Sequence, residues 1–110
     1  MTTSTATQTV DWPGASGKKY RYWIHDLPPN FKAVAGNYIF AKLNAQGRWE
    51  PVYIGHTGDL SERFDNHHAM PCIRRNNATH IHAHTSGGEA DRLAEEADLL
   101  ANFNPPCNRT

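Results

Sequence analysis

The segment PVYIGHTGDLSERFDNHH, residues 51–68, carries the strongest structural signal in this chain. It begins with a short β-prone run that stops at Gly55, which predicts a strand followed by a turn. Asp59 then stands where it would cap a helix, with Glu62 three residues later as the capping-box partner. We therefore predict a strand, a glycine turn and a helix within these residues.

Three polar side chains of this segment are expected to meet at one end of the predicted unit. Tyr53 ends the strand, and Arg63 and His67, four residues apart, share one face of the helix. A phenol, a guanidinium and an imidazole together suit an anionic oxygen centre such as a phosphate. The segment therefore predicts phosphate chemistry as well as a local fold.

The composition is that of one small globular domain. The chain has 110 residues, of which 38% are hydrophobic and 20% charged, and no apolar run approaches the length of a membrane span. Lys and Arg together equal Asp and Glu at 11 each, a mild argument against a tight, non-specific nucleic-acid binder. We expect a disordered tail, residues 1–17, followed by a single domain, residues 18–110.

The cysteines and the N-terminus give an expectation about the compartment. The first residues lack the basic-then-apolar pattern of a secretory signal. Cys72 and Cys107 form neither a CxxC pair nor a disulfide framework. Reduced thiols are the default for such a chain, so we expect a cytoplasmic protein without a membrane partner, in which neither cysteine has a role.

The periodicity of the remaining chain predicts a small antiparallel sheet with helices. Residues 36–43 are rich in β-prone residues, a turn follows at 44–48, and residues 49–54 return as the second strand of a hairpin. Residues 78–84 alternate as a third strand, and residues 18–25 could add an N-terminal edge strand. The predicted order is β-β-α-β-α, an α+β fold with about three strands.

The last helix is expected to open with a capping box formed by Ser86 and Glu89 and to end before Pro105. Its apolar residues fall at helical spacing and should form the buried stripe: Ala90, Leu93, Ala94, Ala97, Leu100 and Ala101. On this helix Glu96 lies at the margin of the stripe, whereas Glu95 points to solvent. Of the two, only Glu96 can therefore lean toward a site.

Two strands allow more than one interpretation. Alternation places His80, His82 and His84 on one face, which is either a polar outer face, a DNA-facing surface or a Zn²⁺ or Ni²⁺ site. Same-face side chains lie about 7 Å apart along a strand, which makes closure around one ion difficult. In residues 18–25 aromatic and basic residues alternate, so this strand is either a sheet extension or a strip that stacks nucleobases.

With these residues placed, the chain resembles the GIY-YIG nuclease family, as a small stand-alone member, over about residues 36–108. The first half-motif is Gly36-Asn37-Tyr38, with asparagine in place of the usual isoleucine, and the second is Tyr53-Ile54-Gly55. Arg63 and His67 stand where the family usually has its catalytic arginine and a frequent histidine. The resemblance implies a GIY-YIG-like fold.

The resemblance also implies a metal-dependent endonuclease that hydrolyses phosphodiester bonds in DNA. Tyr38 would orient or deprotonate the attacking water, and Tyr53 would hydrogen-bond the scissile phosphate. Arg63 would neutralise phosphoryl oxygens, because its fork fits two of them. The implied catalytic residues are Tyr38, Tyr53, Arg63, His67 and Glu96.

The implied metal ligand is Glu96, which aligns with the family's metal-binding glutamate because Pro105 and Asn108 follow at the family's spacing. One hard carboxylate suits a single Mg²⁺ or Mn²⁺ ion held mainly by water and phosphate oxygens. The substrate would also meet His56, Asn108, Arg74 and Arg75. Residues 70–77, which include the two arginines, are expected to be irregular.

The absence of a recognisable zinc finger or helix-turn-helix suggests a structure-selective or single-strand-selective nuclease. Two alternatives remain open. One is a non-catalytic module on the same scaffold that binds nucleic acid or protein. The other is a histidine-rich metal-binding protein.

Overall fold

The computed structural model describes residues 8–27, 30–62 and 67–108, and this part of the chain forms one five-stranded sheet with two α-helices and a short 3₁₀ turn. The strands are β1 (Thr9–Pro13), β2 (Lys19–Asp26), β3 (Gly36–Leu43), β4 (Trp49–Thr57) and β5 (His80–Thr85). The helices are α1 (Met70–Arg75) and α2 (Glu89–Asn102), and the 3₁₀ turn is Pro106–Asn108.

The sheet is antiparallel throughout, with the strand order β1-β2-β5-β3-β4. The α+β class is therefore confirmed, whereas the prediction of about three strands is wrong. Strand β2 is not an edge strand, because β1 pairs with it on its outer side. No helix in the described ranges has the length and apolar character needed to cross a membrane.

Strand β1 lies inside the segment that we expected to be a disordered tail. Trp12 gives the physical reason, because its side chain is only 3% exposed and packs against His82 and Phe103. Its indole Nε1 also donates a hydrogen bond of 3.0 Å to Nδ1 of His82. The tail prediction is therefore wrong for β1, and residues 1–7 lie outside the described part of the chain.

The hairpin formed by β3 and β4 is confirmed, together with its turn. Asn44 Oδ1 accepts hydrogen bonds from the backbone N–H groups of Gln46 and Arg48, at 2.9 and 3.0 Å. Gly47 has a φ of 77°, which suits glycine better than residues with a side chain. Strand β4 is an edge of the sheet, as Pro51 within it indicates.

The sheet buries side chains on both faces. One face, here called the tyrosine face, is covered by α1 and the 3₁₀ turn, and its buried sheet residues are Tyr38, Phe40, Val52, Ile81 and Ala83. The opposite face, here called the α2 face, is covered by helix α2, and its buried residues are Trp12, Tyr22, Ile39, Ala41, Ile54 and Leu99. Neighbouring residues of β3 therefore serve different faces, as the pleat of a strand requires. In β4 the register shift opposite Phe40 and Ala41 lets both Val52 and Tyr53 pack on the tyrosine face.

The helix predicted to start at Asp59 does not begin there. Residues 60–62 form a turn and a bend. Asp59 Oδ1 accepts hydrogen bonds from the backbone N–H and the hydroxyl of Ser61, at 2.8 and 2.6 Å. The Glu62 carboxylate accepts a hydrogen bond from the Thr57 hydroxyl instead of closing a capping box. Asp59 thus builds a local turn, which competes with helix initiation.

The chain that follows this turn also differs from the prediction. Helix α1 occupies residues that we expected to be irregular, and Pro71 stands in its first turn, where the missing N–H costs nothing. The part of the predicted helix over residues 63–66, which includes Arg63, lies outside the described residues. His67 is described and lies before α1 in no helix, so the prediction that it stands on a helix is wrong.

Helix α2 is rotated relative to the prediction. The residues predicted to be buried are exposed with the exception of Leu100, which is half-buried: Ala90, Leu93, Ala94, Ala97 and Ala101. The buried residues are instead Arg92, Glu95 and Leu99. The predicted capping box is also absent, because Gly88 is the N-cap and makes no side-chain hydrogen bond.

Polar partners on the sheet explain this rotation. The Tyr22 hydroxyl and His84 Nε2 both bond to Glu95 Oε2, the latter at 2.7 Å. Arg92 Nη1 donates to the backbone oxygen of Ser86 at 2.8 Å. A buried charge is tolerated only when it is paired, so these contacts fix which side of the helix faces the sheet.

His82 on the central strand β5 is completely buried. Ile81 and Ala83 point to the tyrosine face as predicted, but His82 points to the α2 face and has 0% exposure. The polar-outer-face interpretation is therefore wrong for His82. Because Trp12 donates to its Nδ1, the neutral ring carries its proton on Nε2, which has no partner among the described residues.

We expect His82 to make the protein sensitive to acid. Burial lowers the pKa of His82 to about 3, with smaller effects from His80 and His25, whereas the unfolded chain titrates near 6.5. The unfolded state therefore binds a proton first, and stability falls as the pH drops from 6.5 toward 3, by at most about 1.4 kcal/mol per unit. Urea unfolding at pH 7.5, 6.0 and 5.0 measures this slope.

His82→Asn keeps an acceptor for Trp12 but no titratable ring, so it should be less stable at pH 7.5 and show a weaker slope. His80→Asn, on the same strand and partly exposed, serves as the control and should keep most of the wild-type slope, because His80 is a smaller cause of the shift than burial. Equal slopes for His82→Asn and wild type would contradict the assignment.

Cys72 and Cys107 are joined by a disulfide, so the expectation of reduced thiols is contradicted. The two residues are 35 positions apart, and their bond ties helix α1 to the 3₁₀ turn. Their wide spacing gave no pairing signal in the sequence. The bond lies in the core of the tyrosine face, where both cysteines are buried.

Candidate active site

Three rings meet on the tyrosine face over strands β3 and β4. The Tyr38 and Tyr53 rings are stacked with their centroids 6.1 Å apart. The His67 ring lies edge-on to both, with centroid distances of 5.9 Å to Tyr38 and 4.8 Å to Tyr53. The Tyr38 hydroxyl lies 2.7 Å from Nε2 of His67. The structure thus brings together three of the side chains that the sequence selected.

Gly55 provides the space for this arrangement. It lies opposite Tyr38 in the β3–β4 pairing. A Cβ atom at Gly55 would stand 2.8 Å from the Tyr38 hydroxyl oxygen and 2.8 Å from Cε2 of Tyr53. Such contacts are too short, so any side chain at this position would displace one phenol. The prediction that the strand stops at Gly55 is wrong, because β4 continues to Thr57, and the reason for a glycine at this position is steric.

The backbone fixes the proton position on His67. The N–H of Ala69 donates a hydrogen bond of 3.0 Å to Nδ1 of His67, so Nδ1 must be an acceptor. Burial, followed by the nearby His68, lowers the pKa of His67 and keeps the ring neutral. The single ring proton is then on Nε2, and His67 donates it to the oxygen of Tyr38. In this tautomer Nε2 cannot take a proton from Tyr38.

Both phenols are held in their neutral form. The pKa of Tyr38 is raised, first by burial and then by Tyr53 and the negative charges of Glu96 and Glu62. The pKa of Tyr53 is raised by burial and by Glu96, although a hydrogen bond with Tyr38 opposes this. A phenolate on Tyr38 therefore needs a neighbouring positive charge. Arg63, the predicted source of that charge, lies outside the described residues.

Glu96 approaches this site from the other side of the sheet. It stands on α2, and its Oε1 lies 3.1 Å from Nδ1 of His56, near the end of edge strand β4. Its side chain is 20% exposed, so it faces the core margin as predicted. After burial, its negative charge contributes to the raised pKa of both Tyr38 and Tyr53.

The donor atoms near Glu96 suit a weakly held hard cation. The described residues contain no cluster of three or more His, Cys, Asp or Glu side chains that could hold an ion. Glu96 supplies one carboxylate, with the imidazole of His56 next to it. A Mg²⁺ or Mn²⁺ ion at Glu96 would take its other ligands from water and phosphate oxygens, as Mg²⁺ commonly does.

Asn108 holds the strand that carries Tyr53 and Gly55. Its Oδ1 accepts from the backbone N–H of Ile54 and its Nδ2 donates to the backbone oxygen of Ile54, both at 2.8 Å. The side chain thus occupies the outer edge of β4 in the way that another strand would. Asn108 therefore positions the backbone of the site, whereas the resemblance implied that it contacts the substrate.

The remaining predicted contacts are more distant from the rings. Arg74 and Arg75 are exposed in the last turn of α1, and no described contact joins them to Tyr38, Tyr53 or His67. The sequence analysis missed Ala69, whose N–H sets the tautomer of His67, because a backbone contact leaves no sequence signal.

Searches of this chain against protein-family models, curated proteins and solved structures find no match.

Proposed function

We propose that this chain is a metal-dependent endonuclease with a GIY-YIG-like fold that hydrolyses phosphodiester bonds in DNA. The supporting observation is the stacked pair Tyr38 and Tyr53 over Gly55, with the Nε2–H of His67 aimed at the Tyr38 oxygen. A buried phenol that receives a donated hydrogen bond is prepared to become a phenolate when a cation approaches. Packing alone does not require the directed contact between His67 and Tyr38.

Tyr38 is the general base of the proposed reaction. Tyr38 first loses its hydroxyl proton to solvent, and the phenolate then removes a proton from a water molecule. The water oxygen forms a bond to phosphorus, and the bond from phosphorus to the leaving oxygen breaks. The Nε2–H of His67 stabilises the Tyr38 phenolate, and the Tyr53 hydroxyl donates to a non-bridging phosphate oxygen. A proton from solvent completes the leaving hydroxyl. These steps need only general acid–base chemistry and charge stabilisation.

In this proposal two positively charged groups, Arg63 and a divalent metal ion, neutralise the charge of the phosphate. Arg63 pairs with phosphoryl oxygens through its guanidinium fork. Glu96 would hold a Mg²⁺ or Mn²⁺ ion, which would supply Lewis-acid stabilisation of the phosphate. His56 orients the Glu96 carboxylate through their 3.1 Å contact. Arg74 and Arg75 contact phosphates farther along the DNA.

The compartment remains a proposal as well. A cytoplasmic location follows only from the expectation drawn from the N-terminal residues and the thiols, and the disulfide between Cys72 and Cys107 argues against it. The histidine-rich metal-binding alternative loses its basis, because His82 is buried beside Trp12 and cannot share an ion with His80 and His84.

A metal titration tests the proposed role of Glu96. Wild type should nick labelled single-stranded, duplex and branched DNA in Mg²⁺ or Mn²⁺ and stop in EDTA. Glu96→Gln should need at least about tenfold more metal for the same rate. It removes the proposed ligand charge, and even residues that only hydrogen-bond a metal ligand typically contribute that much. Glu89→Gln, an exposed position on the same helix, should titrate like wild type.

Two outcomes would reject this assignment. Binding without any cleavage by wild type would favour a non-catalytic module on this scaffold. If Glu96→Gln cleaves DNA with an unchanged metal requirement, the proposed nuclease function is retained, but the metal binds at another residue.

A further inference from the structure

A groove opens on the tyrosine face beside the three rings. Trp23 and His25 of β2 form one wall, Phe31 and Leu60 another, and Ala83 of β5 its floor. Its volume is about 280 Å³. This is slightly below the usual range for drug-sized ligands, so the groove suits one planar ring system better than a folded peptide.

The groove and the three-ring site lie on the same face of the sheet. Trp23 pairs with Ala83 across β2 and β5, and Ala83 pairs with Tyr38 across β5 and β3. All three side chains therefore stand in one row on the same face. Adjacent strands are separated by nearly 5 Å, so Trp23 lies about 10 Å from Tyr38.

Strand β2 presents cations as well as rings on this face. Because side chains alternate, Lys19, Arg21, Trp23 and His25 point one way, while Tyr20, Tyr22 and Ile24 point to the α2 face. The sequence analysis had considered a base-stacking strip here, and the structure shows Tyr22 to be buried and unavailable for it.

The exposed residues of β2 form a line that complements a nucleic-acid strand. Trp23 is 40% exposed, and the Arg21 side chain is 64% exposed although its Nε contacts Asp11 at 3.1 Å. Lys19 is also exposed. Successive members of the line are about 7 Å apart, with two cations followed by two rings. Cations that track the backbone and rings that stack bases are the usual elements of single-strand binding.

We propose that the groove binds one unpaired nucleobase of a single-stranded DNA segment, stacked on Trp23, while Lys19 and Arg21 contact neighbouring phosphates. This assignment rests on the proposed nuclease function, because it places the base next to the phosphate held at Tyr38 and Tyr53. Bases inside a duplex are already stacked and paired, so they cannot enter the groove. The groove therefore makes the enzyme selective for single-stranded or unpaired DNA.

Equilibrium binding of a labelled single-stranded oligonucleotide in EDTA, where the metal-dependent reaction is stopped, tests the proposal. Trp23→Ala should bind about tenfold more weakly, since stacking on one aromatic ring typically accounts for such a factor. Trp23→Phe retains a ring and should recover most of the affinity. Leu93→Ala, 46% exposed on α2 on the opposite side of the sheet, is the matched control and should bind like wild type.

An oligonucleotide whose sugars carry no bases separates the contribution of base stacking from other causes of weaker binding. Wild type should bind it about as weakly as Trp23→Ala binds the normal strand, and Trp23→Ala should not distinguish the two strands. The groove assignment is overturned if Trp23→Ala binds the single strand as tightly as wild type does. It is also overturned if Trp23→Ala loses as much affinity for a fully paired duplex as for the single strand. Both conclusions hold even if wild type cleaves DNA. A Trp23-dependent affinity in a wild type that never cleaves retains the groove and rejects the nuclease.

Discussion

Replacing Tyr38 with phenylalanine should lower the rate of DNA cleavage by about a hundredfold or more, the usual contribution of a general base. The substitution removes only the hydroxyl, so the ring keeps its contacts with Tyr53 and Phe40 and the fold is retained. The lost oxygen is the atom that receives the hydrogen bond from His67. Single-turnover cleavage in saturating Mg²⁺ measures the chemical step directly.

The matched control for this experiment is Tyr20→Phe. Tyr20 carries the same hydroxyl on the other face of the sheet, where it donates to Asp98 at 2.7 Å. Its loss should leave the cleavage rate unchanged. A Tyr38→Phe protein that unfolds like wild type and cleaves at the wild-type rate would show that Tyr38 is not the base.

The pH dependence of wild-type cleavage provides a further check on Tyr38. Burial and the nearby acidic groups raise the pKa of Tyr38, so only a small fraction is ionised at neutral pH. The rate should therefore rise with pH, by about tenfold per unit while the phenolate fraction limits the reaction. This rise should be absent from the residual activity of Tyr38→Phe.

Loss of the disulfide should lower the free energy of unfolding by about 4 kcal/mol. Cys72 and Cys107 enclose a loop of 35 positions, and the entropy of closing such a loop in the unfolded chain predicts this value. Urea unfolding of wild type with and without dithiothreitol measures it. The double variant Cys72→Ala with Cys107→Ala should be as unstable as reduced wild type and insensitive to the reductant.

The same bond should also support activity. Cys72 lies in α1, whose start is next to the contact between Ala69 and His67, and Cys107 immediately precedes Asn108. Reduced protein should therefore cleave more slowly at temperatures where it is still folded. Identical unfolding midpoints in the presence and absence of dithiothreitol would contradict a structural role for the disulfide.

The parts of the fold that were predictable from the sequence are those determined by neighbouring residues. The β3–β4 turn depends on Asn44 and Gly47, which lie within the turn itself. Alternation correctly placed Ile81 and Ala83 on one face of β5. The meeting of Tyr38, Tyr53 and His67 was also foreseen, because their spacing in a hairpin and the following segment restricts where they can go.

The errors arose where distant polar contacts decide the structure. Helix α2 turns Glu95 inward because the Tyr22 hydroxyl, 73 positions away, bonds to it. Alanines bury little apolar surface, so a stripe of them did not outweigh that contact. Trp12 forms β1 through a hydrogen bond to His82, 70 positions away.

The contact between Asn108 and Ile54 has a consequence for how molecules of this protein meet. The outermost strand of a sheet exposes unsatisfied backbone groups and invites a second chain to add itself there. Asn108 occupies both outward groups of Ile54, and Pro51 on the same strand has no N–H to offer. The edge of the sheet formed by β4, which carries Tyr53, is therefore protected against pairing with a second chain. It stays accessible to molecules in solution.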